Sequence, residues 1–304
     1  MALEHIGFHI DPDPKQEEET RKLSDQLLKD PAVLSLIRHG QITRQSVVSH
    51  PWTVNRWLHS YQPCIGCQGL GFCKQKPEGI YDGLIDDGYL HTVKTSCRYK
   101  RAEEKKLAHL DQYLVNDMPE SMHTVSFEHI STDHENEEYL EVMKEAMLAC
   151  SENRGLYLCG NMGTGKTYLS ACASNYQAKK GKQVAFIHYP SFCQRMASQV
   201  KNGEFRTEFR RVCFADFAVI DDIGAESVTE WNRDQILLPL LNERYEKKLP
   251  TWFTSNEDLK SLEDHFRFSS RGKEEVIKAA RITERISRMG KVATLTGKDR
   301  RKTL

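Results

Sequence analysis

Residues 160–167 read Gly160-Asn161-Met162-Gly163-Thr164-Gly165-Lys166-Thr167. The stretch follows a short apolar run, Leu156–Cys159, and opens a helical stretch over 166–180. Each part has a physical reason. The glycines let backbone N–H groups turn inward around phosphate oxygens, and the helix start adds the positive end of its dipole. Lys166 supplies a point charge for the β- and γ-phosphates, and the Thr167 hydroxyl is a Mg²⁺ ligand. Strand, glycine loop and helix in that order predict an ATP-type phosphate site made by residues 160–167, set in an α/β fold.

Outward from this loop the same alternation continues. Apolar runs recur at Val184–His188, Phe217–Asp221, Thr251–Ser255 and Val292–Leu295, with helical stretches at 190–212 and 229–247. Strands alternating with helices predict a parallel sheet covered on both faces. The run Phe217-Ala218-Val219-Ile220 delivers Asp221-Asp222 to a strand end. Asp221 is expected to hold Mg²⁺ through water, and Asp222 to orient or deprotonate the attacking water. The next run ends in Asn256, and strand ends in such sheets face the ligand crevice. Asn256 is therefore expected at the γ-phosphate or the water.

Upstream the chain changes character. Residues 14–62 read as helical, with Asp30-Pro31 as a helix start and Gly40 as a stop. Four of the nine cysteines fall close together: Cys64, Cys67, Cys73 and Cys97. Cys64-x2-Cys67 on a glycine-rich turn, completed by Cys73 and Cys97, predicts a tetrahedral Zn²⁺ site, with His91 as a rival fourth ligand. The competing reading is packed thiols or a redox pair. The other five cysteines, scattered among apolar neighbours, read as core. Residues 98–126 begin as a charged helix and run into a linker. The expected layout is a small helical zinc-binding domain at 1–105, a linker at 106–126 and an ATPase domain at 127–304.

Composition limits the function classes. The 304 residues carry 43 basic and 43 acidic side chains, which excludes a uniformly basic coat protein and a uniformly acidic tail protein. The neutral sum is an average: residues 128–153 hold eight acids and one base, whereas 271–304 hold eleven bases and four acids. No apolar stretch reaches the length of a membrane span, and the acidic start does not read as a secretory signal. A cytoplasmic protein with no membrane partner is expected.

The loop GNMGTGKT, the segment VIDDIGAESVTEW, the strand end TSN and the stretch HFRFSSRGKEEVIKAARITERI together resemble the DnaI/DnaC family of bacterial helicase loaders. The resemblance implies an AAA+ domain with a five-stranded parallel sheet in the order 5-1-4-3-2. It implies ATP-dependent loading of the hexameric replicative helicase onto single-stranded DNA during replication initiation and restart. The zinc-bearing N-terminal domain would bind the helicase. Other primosome proteins and self-association in the loading complex would complete the partners, and ATP, Mg²⁺ and Zn²⁺ the cofactors. By the family pattern Arg281 stands at the arginine-finger position, with Arg285 one turn later, and Arg300 or Arg301 at the sensor 2 position. An Asp-Asp strand end is expected to make hydrolysis slow and switch-like.

In related loaders and initiators a helical insertion lines a single-strand channel. Here that segment carries Arg195, Lys201, Arg206, Arg210 and Arg211 among Phe192, Phe205 and Phe209. Phosphate attraction with aromatic stacking is the chemistry of sequence-independent single-strand binding; the alternative for the aromatics is core packing. The alternative for the whole chain is an IstB-like transposition helper ATPase.

Overall fold

The computed structural model describes residues 13–133, 135–199, 205–269, 272, 274–297 and 299–300. The chain divides into two compact units, Met1–Lys105 and Lys106–Leu304.

The first unit packs helices α1 (Pro14–Leu27), α2 (Pro31–Arg38), α3 (Arg44–Ser49) and α4 (Pro51–Tyr61) with a hairpin of β1 (Ile80–Asp86) and β2 (Leu90–Ser96). Helix α5 (Arg98–Leu107) follows. Asp30 caps α2, its carboxylate accepting from the Ala32 and Val33 N–H groups at 2.8 and 3.3 Å. The core gathers Leu27, Val33, Ile42, Val47, Val54 and Trp57 from the helical region with Leu90 from the hairpin.

The expected zinc centre is not assembled. Among the described residues no group of three or more His, Cys, Asp or Glu side chains is placed to hold a metal ion. Each thiol has a local hydrogen-bond partner. Cys64 accepts from Gln75 Nε2 at 3.3 Å, and Cys67 donates to the Gly69 carbonyl at 3.5 Å. Cys73 accepts from the Gly79 N–H and Cys97 from the Lys100 N–H. His91 lies on β2 with Nδ1 against the Tyr89 carbonyl.

The second unit is built on one sheet: β3 (Tyr113–Asn116), β4 (Gly155–Cys159), β5 (Val184–His188), β6 (Phe217–Asp221), β7 (Thr251–Ser255) and β8 (Gly290–Thr294). The order is β3-β5-β6-β7-β4-β8, and every pairing is parallel. From β8 to β5 this is the expected 5-1-4-3-2. The sheet has six strands rather than five because residues 106–126 are not a free linker. They contribute β3 as an edge strand beside β5. Fully buried Asn175 fastens them: its Oδ1 accepts from Tyr113 Oη at 2.8 Å, and its Nδ2 donates to the Met122 and Val125 carbonyls at 3.0 Å.

Strand side chains alternate between two cores. Tyr157, Ile187, Ile220 and Phe253 face one, and Leu158, Phe186, Val219 and Trp252 the other. Helices α6 (Glu137–Ser151) and α7 (Lys166–Lys179) belong to the second core. The first takes α8 (Tyr189–Gln199), α9 (Phe205–Phe214), α10 (Leu238–Glu246), α11 (Leu259–Arg267) and α12 (Val276–Met289). Burying each large apolar side chain contributes about 1.5–3 kcal/mol. Arg244 of α10 is also fully buried, and its guanidinium donates to the Val212, Ala215 and Pro250 carbonyls and to Thr251 Oγ1. It satisfies carbonyls at the end of α9 that have no helical partner. Burial pulls its pKa down to about 10, so it stays charged at neutral pH. No helix among the described residues is long and apolar enough to cross a membrane.

Candidate nucleotide site

The C-terminal ends of β4, β5, β6 and β7 converge on the glycine loop. Gly160 has φ 141°, and a Cβ there would run into the Leu295 carbonyl. Gly165 has φ 102° and starts α7 in the left-handed region that favours glycine. Lys166, the first residue of α7, is 7% exposed. Its ammonium donates to the Gly160 and Asn161 carbonyls at 2.8 and 2.9 Å and to Asn256 Oδ1 at 2.9 Å.

Asp221 is buried at the end of β6. Its Oδ1 accepts from Thr167 Oγ1 at 2.9 Å and from Thr254 Oγ1 at 2.6 Å. Burial pushes its carboxyl above the usual carboxylate range, against the lowering pull of the two hydroxyls. Thr167 and Asp221 offer hard oxygen donors side by side, the donor set that suits Mg²⁺. Asp222 follows at φ 60°, a left-handed conformation that Asp tolerates better than most residues. Its N–H donates to Thr254 Oγ1 at 2.9 Å. Asn256 Nδ2 reaches its Oδ1 at 3.3 Å, and His188 Nε2 lies 3.7 Å from its Oδ2. Asn256 thus bridges Lys166 and Asp222.

Two residues of this constellation escaped the sequence reading. Thr254 ties both acids together, and His188 flanks the second. Both stand at strand ends, and register pairs His188 with Asp221. That is the available signal, since every strand end in such a sheet is near the ligand.

The remaining candidates lie elsewhere or are already engaged. Arg300 fastens the outside of the loop: its N–H donates to the Gly163 carbonyl and its Nε to the Thr164 carbonyl. Its guanidinium forks onto Glu135 at 2.6 Å and covers the Tyr139 ring at 3.7 Å. Arg281 is exposed on α12. It makes no hydrogen bond or ion pair among the described residues. Arg285 covers the Tyr245 ring at 4.4 Å. In the insert, Phe192 is fully buried, and Phe205 stacks on Phe209 against the core, so the core reading holds for all three. Arg195 is paired with Asp117 and Glu208, while Arg206, Arg210 and Arg211 are exposed. Lys201 and Arg301 lie outside the described residues.

A glycine loop opening a helix beside two acids and a polar strand end defines a P-loop nucleotide site, here on an α/β sheet of the AAA+ type. The family model described as IstB-like ATP binding protein matches residues 100–301, and the chain belongs to that family. The chain is 25% identical over 305 residues to the replicative helicase loader DnaI of Bacillus subtilis (strain 168), with 95% of each chain covered. A crystal structure of DnaI superposes with a TM-score of 0.53 at 29% identity, over 63% of this chain and 98% of that one. The chromosomal replication initiator protein DnaA of Aquifex aeolicus (strain VF5) is 30% identical over 139 residues, 43% of this chain and 31% of that protein.

Lys166→Ala is expected to weaken ATP binding about 100-fold or more, since it removes charge-assisted hydrogen bonds worth about 1.5–3 kcal/mol each. Titration with a fluorescent ATP analogue checks this. An affinity within tenfold of wild type contradicts the role given to Lys166.

Proposed function

We propose that the chain loads the hexameric replicative helicase onto single-stranded DNA under control of ATP. The observation that carries this reading is the extent of the match to a replicative helicase loader. It spans 95% of both chains, and so includes the N-terminal unit that lies largely outside the family model. In this reading the N-terminal unit holds the helicase and the P-loop unit sets the loading state.

The chemistry at the P-loop follows from its residues. The N–H groups at the start of α7 and the Lys166 ammonium hold the phosphates. Thr167 and Asp221 would hold Mg²⁺, which would supply positive charge against the phosphates. Asp222 orients the attacking water, and Asn256 fixes Asp222 relative to Lys166. Arg281 serves the site of a neighbouring copy, and Arg206, Arg210 and Arg211 supply attraction for DNA phosphates. Arg300 holds the loop from outside and reports occupancy within its own subunit.

The test uses the full chain and its host's purified replicative helicase. A complex at micromolar concentration, with ATP-dependent release of an oligonucleotide annealed to circular single-stranded DNA, is expected. No complex at that concentration overturns the loader reading. The family model favours a second reading, a transposition helper, under which the chain captures a DNA-bound transposase instead.

A further inference from the structure

Two residues past Asp222 the chain turns at Gly224, with φ 93°. One side of this turn is stitched to the end of β7. The Ile223 N–H donates to the Thr254 carbonyl at 2.9 Å, and Ser255 Oγ donates to the Ile223 carbonyl at 2.6 Å. The other side meets α11. A Cβ on Gly224 would lie 2.8 Å from Leu262 Cδ1 and 3.3 Å from Glu257 Oε2. The Gly224 N–H donates to Glu226 Oε2 at 2.9 Å, and Glu226 is buried. The second oxygen of Glu226 lies 3.8 Å from His265 Nε2 on α11, an ion-pair distance rather than a hydrogen bond.

Glu226 Oε1, His265 Nε2 and Glu257 Oε2 are buried atoms with no hydrogen-bond partner among the described residues. Three such atoms from three segments of chain are costly unless charge is shared between them. Burial pulls the His265 pKa down, but Glu226 and then Glu257 outweigh it and hold it above the ordinary histidine value. Burial pushes the Glu257 carboxyl up; His265 pulls against this, and Glu226 and Asp258 add to it. Helix α12, packed on α11, buries Ala279, Ile282, Thr283 and Ile286, none of which titrates.

We infer that Glu226 and His265 are positioning residues for Asp222, an ion pair that clamps the turn after this acid onto α11 and opens when His265 loses its proton. Charged, His265 holds Glu226, and Glu226 holds the Gly224 N–H, two residues from Asp222. Neutral, it leaves the carboxylates of Glu226 and Glu257 facing each other without a cation, and the turn loosens. Placement of the group that orients the attacking water is what the rate depends on. The inference rests on the reading of Asp222 as that group. The same pair has a signature in stability that does not involve ATP. With its folded pKa raised, His265 stabilises the fold fully below its unfolded value of about 6.5, and the contribution is lost as pH rises through the folded value.

The test compares His265→Gln with wild type, both as full chains, at each pH, so that effects common to the two cancel. Gln keeps an N–H donor but cannot take up a proton. Single-turnover hydrolysis at saturating ATP is expected to be about tenfold slower than wild type at about pH 6 and within about twofold of it at about pH 9. ATP affinity is expected to stay within about twofold, because the bonds of Lys166 do not pass through the clamp. The variant is expected to melt about 2–4 °C below wild type at about pH 6, with the gap closing by about pH 9. Glu226→Gln still accepts from the Gly224 N–H and is expected to remove the same pH dependence. A melting gap that does not change with pH overturns the ion pair. A gap that closes beside a rate ratio that stays constant with pH overturns the positioning role alone. Wild-type turnover in Asp222→Asn overturns the reading of Asp222 and the positioning role with it.

Discussion

Arg281→Ala is expected to lower ATP turnover of the assembled protein by about 10³–10⁵-fold, the range that a finger arginine supplies, while ATP affinity stays within about twofold. The separation between the two readouts follows from where the residue sits. Arg281 is exposed, and no contact among the described residues ties it to the P-loop of its own subunit. Its removal therefore leaves the local site and the fold as they were, because an exposed substitution of this kind changes stability by about 0.5 kcal/mol or less. Arg285→Ala is the matched control one turn later. It loses a cation–π contact with Tyr245 at 4.4 Å, about 0.5–1 kcal/mol, and is expected to keep its turnover. Turnover in the Arg281 variant at the wild-type level, under conditions where the wild-type protein self-associates, would sink the finger assignment.

Asp222→Asn is expected to lower turnover by about 10²–10⁴-fold, the usual weight of a positioned general base, again with ATP binding retained. Asn tolerates the left-handed backbone at φ 60° nearly as well as Asp. The bond that Asp222 makes through its backbone N–H to Thr254 does not depend on its carboxylate. The change therefore removes a charge and a base without disturbing the loop. Asp221→Asn would blur the result, because Thr167 and Thr254 both bond that carboxylate and it is also the residue proposed to hold Mg²⁺. Single-turnover measurements at saturating ATP isolate the step. A rate within threefold of wild type would place water activation on another group, with His188 at 3.7 Å from Asp222 as the next to test.

Much of the nucleotide site was legible because its chemistry is local. A phosphate loop needs its glycines, lysine and threonine contiguous, and Asp221, Asp222 and Asn256 each end a strand of strong apolar pattern. What escaped notice depends on register and tertiary placement. Thr254 reads as one more strand residue until parallel pairing sets it beside both acids. Strand β3 is four residues long and half-buried, too short to produce a periodic signal, and only its place beside β5 makes it a strand. The β1–β2 hairpin did leave a mark, Asp87-Gly88 between two alternating runs, the dipeptide that favours tight hairpin turns. The cysteines taught the reverse lesson. Their spacing suits a metal, but among the described residues no group of three or more His, Cys, Asp or Glu side chains is placed to hold one.

The edge strand β3 also has a mechanical meaning. A pull that enters the P-loop unit at Lys106 meets no slack. Within ten residues the chain reaches His109 and Tyr113, both bonded to Asn175 in the middle of α7. The next residues lie parallel to β5, so tension loads that pairing in shear, with its hydrogen bonds sharing the load rather than unzipping one by one. Because α7 begins at Lys166, such a load arrives at the helix that the phosphate loop opens. Within the P-loop unit, the entering segment is thus stitched to the same helix that carries Lys166 and Thr167.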